Sequence, residues 1–292
     1  MGMKTRTGQE GKTARPRLAR AMNQRSQARE TNQQVRLNKF IADSGVASRR
    51  KADEMIRTGQ VQVNGKVVTE LGVKIEPARD RVVVDGRTLR VAEQKLYLAF
   101  YKPEQVLTSM SDPLGRPTVQ DYVEELPVRV YPVGRLDWDT EGLLILTNDG
   151  EFAQKVAHPQ KSIPKTYLVK LNGIPTNDQL AKLLRGVTIP GGKASALHVE
   201  RVPQGSKQYA WVKIVITEGR NRQVRKMFEK IGYDVKKLKR TAIGLFELGQ
   251  LRKGQYVFLG PRGMEEVMSK DWVRPTRDQY RRRYNRRTEK SR

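Results

Sequence analysis

The 292-residue chain has no cysteine and only two histidines, His158 and His198. Without thiols it can form neither disulfides nor thiolate metal sites. The two histidines are too far apart for an HExxH or a Cys2His2 arrangement, and we assign them no role. The composition therefore argues against a zinc enzyme, while a hard-cation site built from carboxylates stays open.

The chain also lacks any apolar run of 18 residues and any signal-peptide pattern, so we expect no membrane segment and a cytoplasmic location. Acidic residues are scarce: 31 Asp and Glu stand against 57 Lys and Arg, which gives a net charge of +26 and a pI near 10.4. Such an excess attracts polyanions, and with no membrane segment we expect the polyanion to be nucleic acid.

Part of the charge lies at the two ends of the chain. Residues 1–34 carry a local charge of +6 and residues 273–292 carry +7, which leaves +13 on the rest. Both ends have few large apolar residues, so we predict two basic disordered tails. Loose contact with RNA phosphates is our interpretation, and a solubilising arm is the alternative.

Residues 35–90 change from helical to strand periodicity. Apolar residues recur at helical spacing in RLNKFIADSG, and Ser48 can cap a second helix in SRRKADEMIRTGQ. Valines with a period of two then flank the turn pairs Asn64-Gly65 and Asp85-Gly86, which are typical of β-hairpins. The pattern predicts a small domain of two helices followed by hairpins.

Within it, the stretch RLNKFIADSGVASRRKADEMIRTGQVQVNG resembles the S4 RNA-binding domain. Arg49, Arg50 and Lys51 stand at a predicted helix start, where cationic side chains and unpaired backbone N–H groups both favour phosphate. The alternative is a solvated charged turn. RNA is the expected ligand, because A-form helices are recognised mostly by their backbone shape.

After a linker at 90–95, residues 96–262 form the predicted larger domain. Strand patterns (KLYLAFYK, TYLVKL, YAWVKIVIT) mix with helical patterns at 176–185 and 221–231, without strict alternation. This favours an α+β fold with a mainly antiparallel mixed sheet flanked by helices.

The stretch GRLDWDTEGLLILTNDG allows three interpretations. In an extended chain Asp137, Asp139 and Glu141 would point one way and could bind metal, as a two-metal nuclease requires. A turn at Thr140–Gly142 would break that alignment. Alternatively, Arg135 and the acids form a structural ion-pair network, or one carboxylate acts as a nucleophile.

This stretch resembles the central motif of pseudouridine synthases, in the RsuA-like branch that acts on ribosomal RNA. PKTYLVKL and TEGRNRQVRKMFEKIGYDVKKLKR resemble the family's second and third motifs, and SDPLGRPTVQD is similar to the large-subunit RluB-type members. With the S4-like unit, the resemblance covers roughly residues 35–260.

The resemblance implies a role for particular residues. Asp137 is the catalytic carboxylate, Tyr167 packs against the target base, and Arg225 pairs with Asp137. Arg135 is associated with flipping the nucleotide and filling the space it vacates. Gln105 departs from the family, which usually has glycine two residues after Lys-Pro, and this puts the backbone of that turn in doubt.

The implied reaction moves the ribose from N1 to C5 of uracil without redox change, so we expect no cofactor and no metal. We leave Asp139 and Glu141 out of catalysis. A further basic group binds RNA phosphates or lies on a solvated strand edge: Lys236, Lys237, Lys239 and Arg240.

We therefore expect a monomeric synthase that modifies one flipped uridine of ribosomal RNA, with 23S rRNA as the expected substrate. A noncatalytic RNA-binding or ribosome-assembly factor is the alternative, and a metal nuclease comes third.

Overall fold

A computed structural model describes residues 34–91, 94–205 and 208–272, without the side chains of residues 204 and 205. The chain divides into two compact units, Met1–Glu93 and Gln94–Arg292. The predicted tails lie outside the described residues, except for residue 34. In the described part of the chain the longest helices have nine residues, too short to cross a bilayer.

The first unit packs two helices against short strands. Ser48 accepts a hydrogen bond from the backbone N–H of Lys51 (3.2 Å) and so caps the second helix, as predicted. The elements are α1 (Leu37–Asp43), α2 (Arg49–Arg57), β1 (Val35–Arg36), β2 (Val61–Val63), β3 (Lys66–Val67), β4 (Lys74–Ile75), β5 (Val82–Val84) and β6 (Arg87–Thr88).

Two hairpins build the four-stranded sheet of this unit, in the order β3-β2-β5-β6. Their turns place Asn64 and Asp85 at φ +53° and +47°, and each is followed by a glycine that also has positive φ. Asn and Asp tolerate this left-handed region, which explains why Asn-Gly and Asp-Gly pairs predicted the turns.

The second unit contains a nine-stranded sheet, a small hairpin and four α-helices in its described part. Its strands are β7 (Tyr97–Lys102), β8 (Tyr131–Val133), β9 (Glu141–Thr147), β10 (Lys165–Leu171), β11 (Val187–Ile189), β12 (Gly192–Ala194), β13 (His198–Gly205), β14 (Ala210–Ile216), β15 (Val235–Ile243), β16 (Phe246–Glu247) and β17 (Tyr256–Phe258). Its helices are α3 (Gly150–Ala157), α4 (Asn177–Arg185), α5 (Gln223–Glu229) and α6 (Pro261–Met268).

The main sheet runs β13-β14-β10-β15-β9-β7-β17, with β16 beside β15 and β8 beside β9. Among the described strand pairs of this sheet only β9 and β15 run parallel. The predicted α+β class with a mainly antiparallel mixed sheet is confirmed. The predicted helices are present, although α5 is two residues shorter at each end than the pattern at 221–231 indicated.

Apolar clusters cover both faces of the main sheet. Leu144 and Leu146 of β9 join one cluster, while Leu143 and Ile145 join the other, and all four are fully buried. A strand buried on both faces has no polar alternation, which explains the continuous apolar run in the sequence. Burial of each such side chain contributes about 1.5–3 kcal/mol.

The chain enters β9 through a turn that lies earlier than predicted. The Thr140 N–H donates to the Asp137 carbonyl (3.1 Å), so the turn spans residues 137–140. Glu141 and Gly142 belong to the strand, and the predicted turn at Thr140–Gly142 is wrong by about two residues. The turn still breaks the extended alignment of the three carboxylates.

Gly142 is the residue that lets β9 approach β15. Its φ is +117°, and a Cβ added there would overlap the carbonyl oxygen of Arg240. Only glycine therefore fits this crossing. The crossing aligns Lys102, Gly142, Arg240 and Tyr167 across four neighbouring strands.

Candidate active site

Asp137 lies on the loop between β8 and β9, and the backbone on both sides of it is held by a second loop. The Thr108 hydroxyl donates to the Leu136 carbonyl (2.7 Å) and accepts from the Leu136 N–H (3.2 Å). The Gln105 N–H donates to the Trp138 carbonyl (2.8 Å). The loop at 103–108 therefore fixes the backbone that presents the Asp137 carboxylate.

Lys102 anchors that second loop. Its side chain is fully buried, and Nζ donates to the carbonyls of Pro103 (2.8 Å) and Val106 (2.7 Å). Burial lowers the pKa of Lys102 to about 8, against the opposing effect of nearby carboxylates that include Asp137 and Asp139. Sequence reasoning assigned Lys102 no role, although a lysine that ends an apolar strand directly before proline was an available signal.

Gln105 resolves the doubt about the turn in which the family usually has glycine. It adopts φ +61°, the left-handed conformation that glycine enters without strain. The turn therefore keeps a glycine-like backbone despite the side chain, and the Gln105 N–H still reaches the Asp137 loop.

Two arginines face this loop: Arg222, which directly precedes α5, and Arg225, which lies within it. Their pairing differs from the prediction. Arg225 Nη2 lies 3.2 Å from Asp139 Oδ2 and donates to the Asp139 carbonyl (2.8 Å). Arg222 pairs with Asp139 in a bidentate manner (3.1 and 3.0 Å) and lies 4.0 Å from Asp137 Oδ2. The predicted pairing of Arg225 with Asp137 is therefore wrong in this structure, because the turn presents Asp139 to that guanidinium.

The electrostatics follow from this arrangement. Burial would raise the pKa of Asp139, but the hydrogen bond from Arg222 and the charges of Arg225 and Arg222 outweigh it, so the pKa is lowered. Burial lowers the pKa of Arg225, which the Asp139 carboxylate opposes. Asp139 thus serves as the shared anion of two arginines.

Tyr167 lies in β10 and is 8% exposed, within the same apolar cluster as Leu136, the neighbour of Asp137. The register places it beside Arg240 of β15, which in turn aligns with Gly142 of β9. The structure therefore brings Tyr167 and the Asp137 loop to one face of the sheet. The Asp137 side chain is 36% exposed.

Arg240 contradicts its predicted place on the surface. It is 3% exposed in an inner strand, and its Nε donates to the Leu143 carbonyl (2.7 Å). Because the Arg240 side chain is buried and held by the backbone of β9, it cannot present its guanidinium to an RNA phosphate. Lys236 and Lys237 are exposed, and the Lys239 ammonium lies 4.5 Å from the centre of the Tyr101 ring.

The other predicted RNA contacts are exposed. Arg135 lies two residues before Asp137 on the same loop. Arg49, Arg50 and Lys51 form the first turn of α2 in the first unit, where Lys51 pairs with Glu54 (3.0 Å).

The metal interpretation finds no support. Within the described ranges no group of three or more His, Cys, Asp or Glu side chains could hold a metal ion. Asp139 is engaged by two arginines, and Glu141 pairs with Lys253. These carboxylates are neutralised by cations of the chain itself.

Comparisons with known proteins show which families this chain resembles. Residues 96–230 match the model of the RNA pseudouridylate synthase family, and residues 35–82 match the S4 domain. The chain is 46% identical over 233 residues to ribosomal large subunit pseudouridine synthase B of Bacillus subtilis, covering 80% of this chain and 95% of the relative. The chain belongs to the RNA pseudouridylate synthase family.

Two further relatives support the assignment. Ribosomal large subunit pseudouridine synthase B of Pseudomonas aeruginosa is 35% identical over 246 residues, 82% of this chain and 63% of the relative. A crystal structure of a pseudouridylate synthase is 30% identical, with a TM-score of 0.57 over 80% of this chain and 99% of that chain. The protein is therefore an RNA pseudouridine synthase, and a purely noncatalytic role is not favoured.

Proposed function

We propose that this synthase isomerises a uridine of large-subunit ribosomal RNA, with Asp137 as its catalytic carboxylate. The observation that carries the proposal is the loop of Asp137, in which hydrogen bonds from Thr108 and Gln105 hold the backbone of its neighbours Leu136 and Trp138 while the carboxylate itself stays accessible. An enzyme fixes a reacting group in this way because misplacement by even 1 Å can cost about 100-fold in rate. The two synthases B described above support the choice of large-subunit RNA.

In the proposed reaction the N1–C1′ bond of uridine breaks and a C5–C1′ bond forms. The C5 proton leaves and N1 gains a proton, so atoms and charge balance without redox change. Asp137 acts as nucleophile or base on the bound nucleotide. Tyr167 offers an aromatic face to the uracil, and such stacking contributes about 1–3 kcal/mol per base.

The remaining cations have roles in binding. Arg135 would fill the space that the flipped nucleotide leaves, and Arg49, Arg50 and Lys51 would contact phosphates of the surrounding RNA. Arg225, held by the backbone carbonyls of Val235 and Asp139, would fix the loop instead of pairing directly with Asp137. We propose that the protein acts as a monomer on 23S rRNA in the cytoplasm, a state that sedimentation of the free protein can test.

Tritium release tests the reaction. Ribosomal RNA transcribed with uridine labelled at C5 should lose tritium to water when incubated with the wild-type chain in EDTA. Asp137→Asn should release at least 1,000-fold less, because the acting carboxylate charge is gone. Asp178→Asn, an exposed carboxylate in the first turn of α4, serves as the matched control and should retain full activity.

The proposal is wrong if the wild type releases no tritium, or if Asp137→Asn and Asp178→Asn release it equally fast. If the wild type is active, mapping pseudouridines in 23S rRNA from cells with and without the gene identifies the modified nucleotide.

A further inference from the structure

Arg222 is an exposed cation beside the carboxylate to which we assign catalysis. Its guanidinium lies 4.0 Å from Asp137 Oδ2, and its side chain is 42% exposed. Its other contact is the bidentate pair with the Asp139 carboxylate, which is 43% exposed. Sequence reasoning missed this residue, since nothing local separates it from the other arginines of GRNRQVRKM.

The two arginines that face the loop differ in how firmly they are held. Arg225 is 13% exposed and donates to the backbone carbonyls of Val235 (2.9 Å) and Asp139 (2.8 Å), so its position is fixed. Arg222 is bound only through a side-chain ion pair at the surface, a contact that contributes little to stability. If Arg222 left, Asp139 would keep Arg225 as its partner at 3.2 Å.

The backbone at Arg222 is itself unusual. Its φ is +51°, in the left-handed region that non-glycine residues rarely occupy. The residue directly precedes α5 and turns its side chain towards the Asp137 loop. Strain of this kind is kept mostly where function requires it, which makes the position a candidate for substrate contact.

The substrate supplies the reason for a cation here. For Asp137 to act at the ribose or base, C1′ of the target nucleotide must lie against its carboxylate. The phosphates attached to O3′ and O5′ of that ribose are only a few covalent bonds from C1′. Either phosphate can therefore come within reach of the guanidinium that lies 4.0 Å from Asp137.

We propose that Arg222 binds a backbone phosphate of the target nucleotide, and that Asp139 holds its guanidinium in the free enzyme as a carboxylate substitute for that phosphate. The same planar fork of N–H donors matches either anion in a bidentate manner. The inference rests on the proposed function, because it uses Asp137 as the reference point for the nucleotide. It makes Arg222 a substrate-binding residue and Asp139 its competitor.

If Asp139 competes with the phosphate for Arg222, substitutions of the two residues should change the KM for RNA in opposite directions. Arg222→Gln should raise the KM for a C5-tritiated 23S rRNA transcript about tenfold while kcat changes less than twofold. Arg222→Lys should recover part of the loss, because it keeps the charge but not the fork. Asp139→Asn should lower the KM about threefold, because the guanidinium is then free before RNA arrives.

A merely structural ion pair predicts another pattern, in which Arg222→Gln and Asp139→Asn impair the enzyme in the same direction. That result would overturn the inference. Arg262→Gln, which removes one charge from a side chain that is 92% exposed, is the matched control for lost net charge. An equal rise in KM for Arg262→Gln and Arg222→Gln would also overturn it.

Filter binding of the same transcript separates this inference from the proposed reaction. Tritium release by the wild type tests the reaction, whereas the order of dissociation constants tests Arg222 even without turnover. The order expected is Asp139→Asn tightest, then wild type, then Arg222→Gln. Thermal unfolding of each variant verifies that the chains are folded.

Discussion

At the scale of single residues, Gln105 combines a strained backbone with an exposed side chain, at φ +61° in the loop that supports Asp137. The left-handed conformation costs a non-glycine residue about 1–2 kcal/mol, and glycine gives back part of this through its more flexible unfolded state. We therefore expect Gln105→Gly to raise the free energy of unfolding by about 0.5–1 kcal/mol, measured by urea denaturation.

The control is Gln250→Gly, an exposed glutamine in a turn without positive φ. At this position glycine relieves no strain, and its greater conformational freedom in the unfolded chain should destabilise the protein by about 0.5–1 kcal/mol. A loss of stability in both variants would mean that the backbone at residue 105 is not strained.

Residue types at the site could be predicted only where a motif carried them. Asp137, Tyr167 and Arg225 came from the family resemblance, and their roles stay predictions. Arg222 was missed because its partner Asp139 lies 83 positions away, so the pair exists only after β9 and α5 have formed in the same unit. The pairing of Arg225 was mispredicted for the same reason.

At the scale of elements, the loop at 103–108 depends on Lys102, whose ammonium holds two of its carbonyls. The pKa of Lys102 is lowered to about 8 in the folded chain, below its ordinary value of 10.5. Below pH 8 both states carry the proton, and the full cost of burying the charge is present. Between pH 8 and 10.5 the unfolded chain binds more protons, so this group makes stability rise with pH.

Lys102→Met removes that dependence, since the side chain no longer titrates. We expect the wild type to gain more stability than the variant between pH 7.5 and 10.5, by roughly 3 kcal/mol in the limit of the full shift. Lys165, whose burial also lowers its pKa to about 8, contributes equally to both proteins. Urea denaturation at each pH gives the free energy of unfolding of the wild type and of Lys102→Met, and Lys230→Met, at an exposed lysine, is the control. If the difference between the wild type and Lys102→Met does not vary with pH, the lowered pKa of Lys102 is contradicted.

Elements were predictable where local chemistry decides them. Helical spacing, the Ser48 cap and the Asn-Gly turn all report interactions within a few residues of one another. The parallel contact of β9 with β15 joins residues about 100 positions apart, and no local pattern indicates it. For this reason Arg240, placed by that contact in the middle of the sheet, was mistaken for a surface residue.

At the scale of the whole molecule, the net charge of +26 can act on RNA in two ways, through long-range attraction and through specific contacts with phosphates. Each phosphate neutralised by a basic side chain steepens the dependence of log K on log salt by about 0.7–0.9. If Arg49, Arg50 and Lys51 each contact a phosphate, changing all three to Gln should make the slope shallower by about 2–3. The value of kcat at saturating RNA should not change, because these residues lie outside the unit that holds Asp137.

The matched control changes three other exposed cations of the same unit, Lys66, Arg79 and Arg87, to Gln. It removes the same net charge, so long-range attraction weakens equally in both triple variants. If the residues at the start of α2 make specific phosphate contacts, the salt dependence of log K should become shallower in the first triple variant than in the control. Both slopes are measured with one ribosomal RNA transcript over a KCl series. Equal slopes would mean that Arg49, Arg50 and Lys51 make no specific phosphate contacts and that the S4 unit contributes only its net positive charge.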